Sequence, residues 1–223
     1  MRLATLVRIG VVLVLLIVLL IFATYRAAVH EPEFYRAETA VPAAEQKVAN
    51  DEFLAQTTAV ASVVEQPGAW SLRLTQEQIN GFLAVDLPQN HGNVLPPFLK
   101  EPRVQLQAHE ATIACRLQEG ALSSVATLAI DVTLAEPNVI AVRFKRLRAG
   151  IIPMPLEKLL EQLRNLAEQN QVPIRWTRED GDTVALVTLP PLKPQQGVQQ
   201  RVQQIEIREG EVFIAGSSSP MGG

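Results

Sequence analysis

"RAGIIPMPLEKLLEQL", residues 148–163, decides how the second half of the chain folds. Gly150, Pro153 and Pro155 separate a strand-like run, 139–147, from a helical pattern that begins after Pro155. Proline ends a strand and pre-sets the first turn of a helix, and glycine lets the chain change direction. The stretch therefore predicts a strand, a short link and a helix that crosses back over the sheet.

The helix predicted over 155–169 has one narrow apolar stripe with spacings of three and four residues. Its members are Leu156, Leu159, Leu160, Leu163, Leu166 and Ala167. The opposite face carries charges of both signs without an excess of lysine or arginine, which disfavours a helix lying on a membrane. We expect this helix to cover a sheet.

The residues before the helix alternate between apolar and polar side chains and are broken by short turn sequences. Four such runs cover 103–108, 111–118, 121–134 and 139–147. Successive strands joined by short turns predict an antiparallel meander. Two further hairpins are predicted over 172–190 and 202–216. The domain is therefore predicted to be α+β, with a mainly antiparallel sheet packed on one long helix.

The N-terminal segment predicts a membrane anchor. Residues 9–24 carry no charge, and only Arg8 interrupts the apolar run that starts at Leu3. As a helix the uncharged run spans about 24 Å, close to the ~30 Å of a hydrocarbon core once its flanks are included. A cleaved signal peptide is the alternative, but the run is long for one. We expect an uncleaved transmembrane helix over 1–26.

The charges around this segment predict its orientation. Arg2 and Arg8 precede the apolar run, whereas Arg26 is soon followed by acidic residues. The positive-inside rule then places the N-terminus in the cytoplasm and the domain outside the cell membrane, as a single-pass protein.

The remaining chain divides into three parts. Residues 27–68 are expected to form a juxtamembrane linker and a helix over 43–66, which ends at a Pro-Gly pair. Residues 69–216 form the extracytoplasmic α+β domain, large enough for one core. Residues 217–223 are expected to be a disordered tail.

Composition excludes some classes of function. The net charge is −3, and because residues 1–26 hold three arginines and no acid, the rest is more negative still. Such a domain is a poor binder of nucleic acid. The single cysteine, Cys115, rules out an intrachain disulfide and fits a small buried apolar side chain.

The sequence carries no recognisable catalytic or metal-binding pattern. His30, His91 and His109 are scattered, without acids or Cys115 at ligand spacing. The motifs of common hydrolases and nucleotide-binding proteins are absent. Asp86 and His91 could form a carboxylate–imidazole pair, but no third group is indicated. We therefore predict no catalytic residue, no metal and no cofactor.

One basic cluster, "RFKRLR" at 143–148, allows two interpretations. Arg143 and Lys145 share a strand face, and the alternation then breaks, which predicts a bulge at Lys145–Arg146. Arg146 and Arg148 follow the break. A solvated strand edge is one interpretation. A patch that attracts anionic lipid headgroups, at about 1 kcal/mol per cation, is the other.

Two segments resemble a known family. "WSLRLTQEQINGFL" (70–83) resembles the opening of several small exported bacterial domains: an apolar strand, a threonine, an acid or amide pair, a hydrophobic residue and an asparagine. The matching positions are Leu74, Thr75, Glu77, Gln78, Ile79 and Asn80. The family has glutamate more often than glutamine at the second position of the pair.

The region of 146–163 and the hairpin of 172–190 resemble the next segments of YpmS-like proteins, and the order of elements agrees over about 70–216. YpmS-like proteins are membrane-anchored, exported and of unassigned function. They are similar to tubular lipid-binding (TULIP-type) proteins, whose strongly curved antiparallel sheet wraps a long helix and holds lipid in an apolar groove. The resemblance implies an N-terminal transmembrane helix followed by a curved, mainly antiparallel sheet packed on one long helix, and no catalytic residues.

Two functions remain open at this point. The first is a tethered domain that binds lipid or another hydrophobic ligand between helix and sheet, although direct packing without a cavity fits the pattern equally well. The candidate lining residues are Leu128, Ile130, Val132, Ile140, Val142, Phe144, Leu159, Leu163 and Trp176. The alternative is a scaffold that binds a protein of the cell envelope through the 43–66 helix or the Gln-rich 195–204.

Overall fold

The computed structural model describes residues 19–20, 23–24, 26–92, 95, 98–119, 122–169, 172–189 and 198–220. The transmembrane helix expected over 1–26 therefore lies mainly outside the described residues. Within the described ranges, no helix has the length and hydrophobicity needed to cross a membrane.

The fold is α+β, and all the described strand pairs are antiparallel. The helices are α1 Glu33–Thr39, α2 Ala43–Val63, α3 Gln76–Ala84, α4 Asp86–Asn90 and α5 Glu157–Gln169. The first strands are β1 Gly68–Thr75, β2 Leu99–Gln107, β3 Glu110–Glu119, β4 Leu122–Glu136 and β5 Val139–Ala149. The later strands are β6 Ile152–Met154, β7 Ile174–Glu179, β8 Asp182–Thr188, β9 Val198–Arg208 and β10 Glu211–Pro220.

The described strands form two sheets. The larger has the order β2-β3-β4-β5-β8-β7, with β6 paired to one end of β5, and the smaller has the order β1-β10-β9. The meander predicted from the alternating runs is confirmed, because β2 to β5 are neighbours in chain order.

The predicted bulge in β5 is also confirmed. Ala129 lies opposite Arg146, whereas the next residue, Ile130, lies opposite Phe144. Lys145 is therefore an extra residue in β5, and the side chains after it change faces.

The link between β5 and α5 contains a short strand, β6, which pairs with the end of β5. Gly150, with a φ of +58°, turns the chain so that Ile152 lies opposite Ala149 and Met154 opposite Leu147. A positive φ of this size favours glycine. The chain then enters α5, and its Leu156, Leu160 and Leu163 pack against the sheet. The prediction that this helix covers the sheet is confirmed.

Helix α3 closes the free edge of β2. Thr75 and Gln78 form the predicted capping box at its N-terminus. Asn80 donates to the Val104 carbonyl and accepts from the Val104 N–H, both at 2.8 Å, and Gln76 accepts from the Leu106 N–H at 2.8 Å. The side chains of one helix thus satisfy the backbone groups that an edge strand leaves unpaired.

Part of the expected linker is instead a packed helix. Tyr35 of α1 is fully buried against Ala114 and Val125, on the sheet face opposite α5. Its hydroxyl donates to the Glu101 carbonyl at 3.0 Å, and the Arg116 guanidinium lies 5.6 Å from its ring centre. Within the expected linker, 33–39 is therefore a short helix that Tyr35 attaches to the sheet.

The prediction of a disordered tail is wrong for residues 217–220, which belong to β10. Ser217 and Ser218 pair with β1, and all four residues pair with β9. The Ser218 hydroxyl is buried and donates to the Val64 carbonyl, just beyond the end of α2, at 2.8 Å. Small polar residues gave no apolar alternation to detect. Residues 221–223 lie outside the described residues.

Replacing Asn80 with alanine should destabilise the protein by about 2–4 kcal/mol, because it leaves the buried N–H and C=O of Val104 without partners. Urea denaturation of the purified protein measures this change. Asn90→Ala is the control, since the Asn90 amide is exposed and bonds only to Asp86 in its own helix. Equal midpoints for the two variants would contradict the edge-closing role.

Burial raises the pKa of the Tyr35 phenol from its ordinary value of 10.0 to about 12, although the nearby Arg116 opposes the shift. The folded state therefore binds this proton more tightly than the unfolded state does. The stabilisation is complete below pH 10 and should be lost as the pH rises from about 10 to about 12. The urea midpoint should fall more steeply with rising pH for the wild-type protein than for Tyr35→Phe. Parallel slopes would contradict this assignment.

Candidate functional site

Helix α5 and the sheet enclose an apolar cluster that contains most of the predicted lining residues. Those the structure brings together are Leu128, Ile130, Val132, Val142, Phe144, Leu163 and Trp176. The Phe144 and Trp176 rings lie 5.9 Å apart in a stacked arrangement. Ile130 and Phe144 are buried, whereas Leu128, Val132 and Trp176 keep part of their surface exposed.

Two predicted lining residues, Ile140 and Leu159, lie outside this cluster. Leu160, rather than Leu159, is the buried residue in this turn of α5. The helix faces the sheet through positions 156, 160 and 163, spaced by four and three residues, and Leu159 stands at the margin of that face. The leucine stripe in the sequence did not show which of its two edges the sheet covers.

The cluster also draws on strands that the sequence did not connect with α5. The additional buried members on these strands are Val104, Leu106, Ala111, Ala185 and Ile207. Val104 and Leu106 do alternate visibly in the sequence, but periodicity does not tell which strands share a core. Ile207 comes from the smaller sheet, so both sheets contribute to one core.

A cleft of about 210 Å³ opens beside the first half of α5, next to the β7–β8 turn. Its apolar side is formed by Phe144, Leu156 and Leu160. Arg164 of α5 and Arg178 of β7 line it as well, and both are exposed. Glu157 lines the cleft as well, so its apolar inner side is bordered by charges of both signs.

The two rim arginines lack acidic partners. The Arg164 guanidinium lies over the Trp176 ring at 5.1 Å, a cation–π contact. In the described part of the chain, no carboxylate comes within 4.0 Å of Arg164 or Arg178. Asp182 also lines the cleft, but its carboxylate is 3.7 Å from Arg143. The two guanidinium groups are therefore available to an anionic group in the cleft.

The basic cluster of 143–148 is largely matched by acids. Arg143 lies 3.0 Å from Glu179, and Arg146 lies 2.9 Å from Glu110. Lys145 lies 2.7 Å from Asp131. These pairs reduce the attraction to an anionic surface. Arg148 is exposed, and no described acid pairs with it. β5 pairs with β4 along this segment, with β8 as far as Phe144 and with β6 from Leu147, so the interpretation as a strand edge applies only at Lys145–Arg146.

The Asp86–His91 pair does form, at 3.4 Å between Oδ2 and Nε2. The imidazole also lies near the Phe82 ring, 6.2 Å between centres. Asn90 occupies the same carboxyl group through a hydrogen bond of 2.6 Å from its amide to Oδ1. Across the residues whose placement is described, no three potential metal ligands come together. The pair is thus a local surface contact.

A second pocket, about 160 Å³, lies between α1, α2, α3 and β2. Arg103 lines it and is buried, with one hydrogen bond of 2.7 Å from Nη1 to the Pro102 carbonyl. Burial lowers the pKa of Arg103, and Glu38 is among the charges that oppose this shift. Glu38, Glu45 and Glu77 also line the pocket, so three carboxylates oppose the entry of an anionic ligand.

Cys115 is buried, as expected for a small apolar side chain. Burial raises the pKa of its thiol to about 11, so it is protonated at neutral pH.

Comparison of this chain with protein-family models, with curated protein sequences and with solved structures finds no match.

Replacing Leu159 or Leu160 of α5 with alanine should change the stability of the protein by very different amounts. Leu160→Ala should lower the free energy of unfolding by about 2–4 kcal/mol, because Leu160 is 5% exposed and leaves a cavity in the core. Leu159→Ala, which has the same helix propensity change but lies outside the cluster, should cost much less. Chemical denaturation of both variants measures the difference, and similar losses would contradict the assigned helix face.

Proposed function

We propose that the chain is a membrane-tethered extracytoplasmic domain that binds an anionic amphiphile, such as a fatty acid or another single-chain lipid, under α5. The observation that carries the proposal is a pair of guanidinium groups, Arg164 and Arg178, to which no acid of the described residues is paired, at the rim of a cleft whose inner side is apolar.

The chemistry of the two ends of the cleft fits such a ligand. Guanidinium groups bind carboxylates and phosphates through paired, charge-assisted hydrogen bonds. Phe144, Leu156 and Leu160 offer apolar contact to the chain next to the headgroup. Each methylene removed from water contributes about 0.8 kcal/mol.

The size of the cleft admits the first part of an acyl chain. An apolar cavity of about 150 Å³ holds a benzene-sized molecule, and this cleft is about 210 Å³. The partly exposed apolar residues around α5 offer a path for the remainder of the chain. Those residues are Leu128, Val132, Val142, Leu163 and Trp176.

The tether rests on the sequence. The uncharged run of 9–24 has the composition of a transmembrane helix, and the charge asymmetry favours an external domain. The resemblance to YpmS-like proteins, and through them to TULIP-type lipid binders with a strongly curved sheet, supports the same function. An antiparallel sheet with one long helix on its face is the coarse arrangement that such a fold requires.

A scaffold function has weaker support. Helix α2 exposes Val48, Leu54 and Val63. At about 100° per residue, Val48 and Val63 lie about 60° apart, whereas Leu54 lies about 120° from Val48 and opposite Val63. They do not form the single apolar stripe that a docking helix offers to a partner.

A photoactivatable fatty acid bearing a diazirine should label the detergent-solubilised full chain within the α5 cleft. Peptide mapping by mass spectrometry should find the label near Phe144 or on 156–160, and unlabelled fatty acid should compete with it. Arg164→Gln combined with Arg178→Gln should reduce labelling roughly tenfold or more, because each charged hydrogen bond contributes about 1.5–3 kcal/mol.

Arg175→Gln is the matched control for this experiment. Arg175 is exposed on the same strand as Arg178, but alternation places it on the opposite face, so its loss should leave labelling unchanged. Labelling confined to residues 1–26, or insensitive to the double substitution, would remove the proposal.

A further inference from the structure

The turn between β5 and β6 presents an apolar tip to solvent. Ile151 is 57% exposed and Met154 is 41% exposed, and Pro153 and Pro155 are exposed beside them. We call residues 150–155 the β5–β6 tip. A large aliphatic residue, a methionine and two prolines standing together in water favour burial against another surface.

The β5–β6 tip is fastened to the segment that follows the apolar N-terminal run. The Ile151 N–H donates to the Ala27 carbonyl at 3.0 Å, and the Ser124 hydroxyl donates to the Ala28 carbonyl. Gly150 lies so close that a Cβ would collide with the Ala27 carbonyl oxygen. The tip is therefore held at a fixed place relative to residues 27 and 28.

That place can be compared with the thickness of a membrane interface. The uncharged run ends at Thr24, and Arg26 and Ala27 are helical. Helical spacing of 1.5 Å per residue places Ala27 about 5 Å beyond Thr24. Each headgroup region of a bilayer is about 5–8 Å thick. If the run spans the hydrocarbon core, the backbone of Ile151 lies at headgroup depth.

The charges around the β5–β6 tip suit the same surface. Arg148 lies on β5 two residues before Gly150, and Arg26 lies next to Ala27; both are exposed. No acid in the described ranges pairs with either of them. Arginine beside aliphatic residues is the composition of segments that enter an anionic interface.

We propose that the β5–β6 tip inserts into the lipid interface beside the anchor, with Arg148 and Arg26 at the level of anionic headgroups. This inference rests on the membrane tether of the proposed function, but it does not require the α5 cleft to hold a lipid.

Insertion would also set the orientation of the cleft. Leu156 lines the cleft only two residues after Met154, and α5 begins at the next residue. The N-terminal end of α5 then faces the bilayer, so an amphiphile that leaves the membrane has a short path to the cleft.

A fluorescent label at position 154 tests the insertion. The full chain with Cys115→Ala and Met154→Cys carries an environment-sensitive fluorophore and is placed in nanodiscs of phosphatidylethanolamine and phosphatidylglycerol. We expect blue-shifted emission, protection from aqueous iodide and several-fold stronger quenching by nitroxide-bearing lipid than for a control label at Glu136→Cys. Glu136 is exposed at the other end of the β4–β5 hairpin, about 35 Å along β5.

A second variant tests the apolar contact itself. Ile151→Asp in the chain labelled at 154 should shift the emission towards that of water, because a carboxylate is excluded from the interface. Val48→Asp makes the same change at a residue of α2 that is 60% exposed, and it should leave the label unchanged.

The outcomes separate this inference from the proposed function. A chain that enters nanodiscs while its label at 154 is quenched by iodide like the label at 136 overturns the insertion and leaves the tether standing. A chain that does not enter nanodiscs overturns both the tether and the insertion, whereas fatty-acid labelling of the cleft is decided separately.

Discussion

The unpaired backbone of an edge strand is the constraint on which this fold depends. Strand β2 ends the larger sheet, and its Val104 and Leu106 are buried in the core under α5. A buried strand cannot leave its N–H and C=O groups to water. Asn80 and Gln76 of α3 supply those hydrogen bonds, and Gln78 of the same helix reaches Glu52 of α2. One short helix therefore closes the sheet and positions the helix that precedes it.

The larger sheet is covered unequally on its two faces, and this inequality creates the candidate site. On one face, Tyr35 fills a small and fully closed cluster. On the other, α5 buries Leu160 and Phe144 but leaves Trp176 partly exposed. The closed face is fixed by packing and by the Tyr35 hydrogen bond to Glu101, whereas the open face retains partly exposed apolar surface. Arg164, held over Trp176, places a cation beside this surface.

Local periodicity foretold the elements of this structure better than it foretold their neighbours. Alternation and the leucine stripe predicted the meander, α5 and the bulge at Lys145, because each depends on residues a few positions apart. The acids that neutralise the basic cluster, such as Glu110 and Glu179, lie far along the chain and approach it only through the sheet order. The strand pairing of 217–220 depends likewise on partners in β1 and β9. Sequence patterns record the period of a segment and not the identity of what lies against it.

The extra residue in β5, Lys145, reverses which side chains of the strand face the core. Before it, Phe144 points to the core; after it, Leu147 does so, opposite Leu128, while Arg146 points away. Without the bulge at Lys145, Leu147 would face away from the core, and Arg146 and Arg148 would face into it. A single added position thus lets one continuous strand carry two alternation phases, so that its arginines stay on the solvent face while its apolar residues stay in the core.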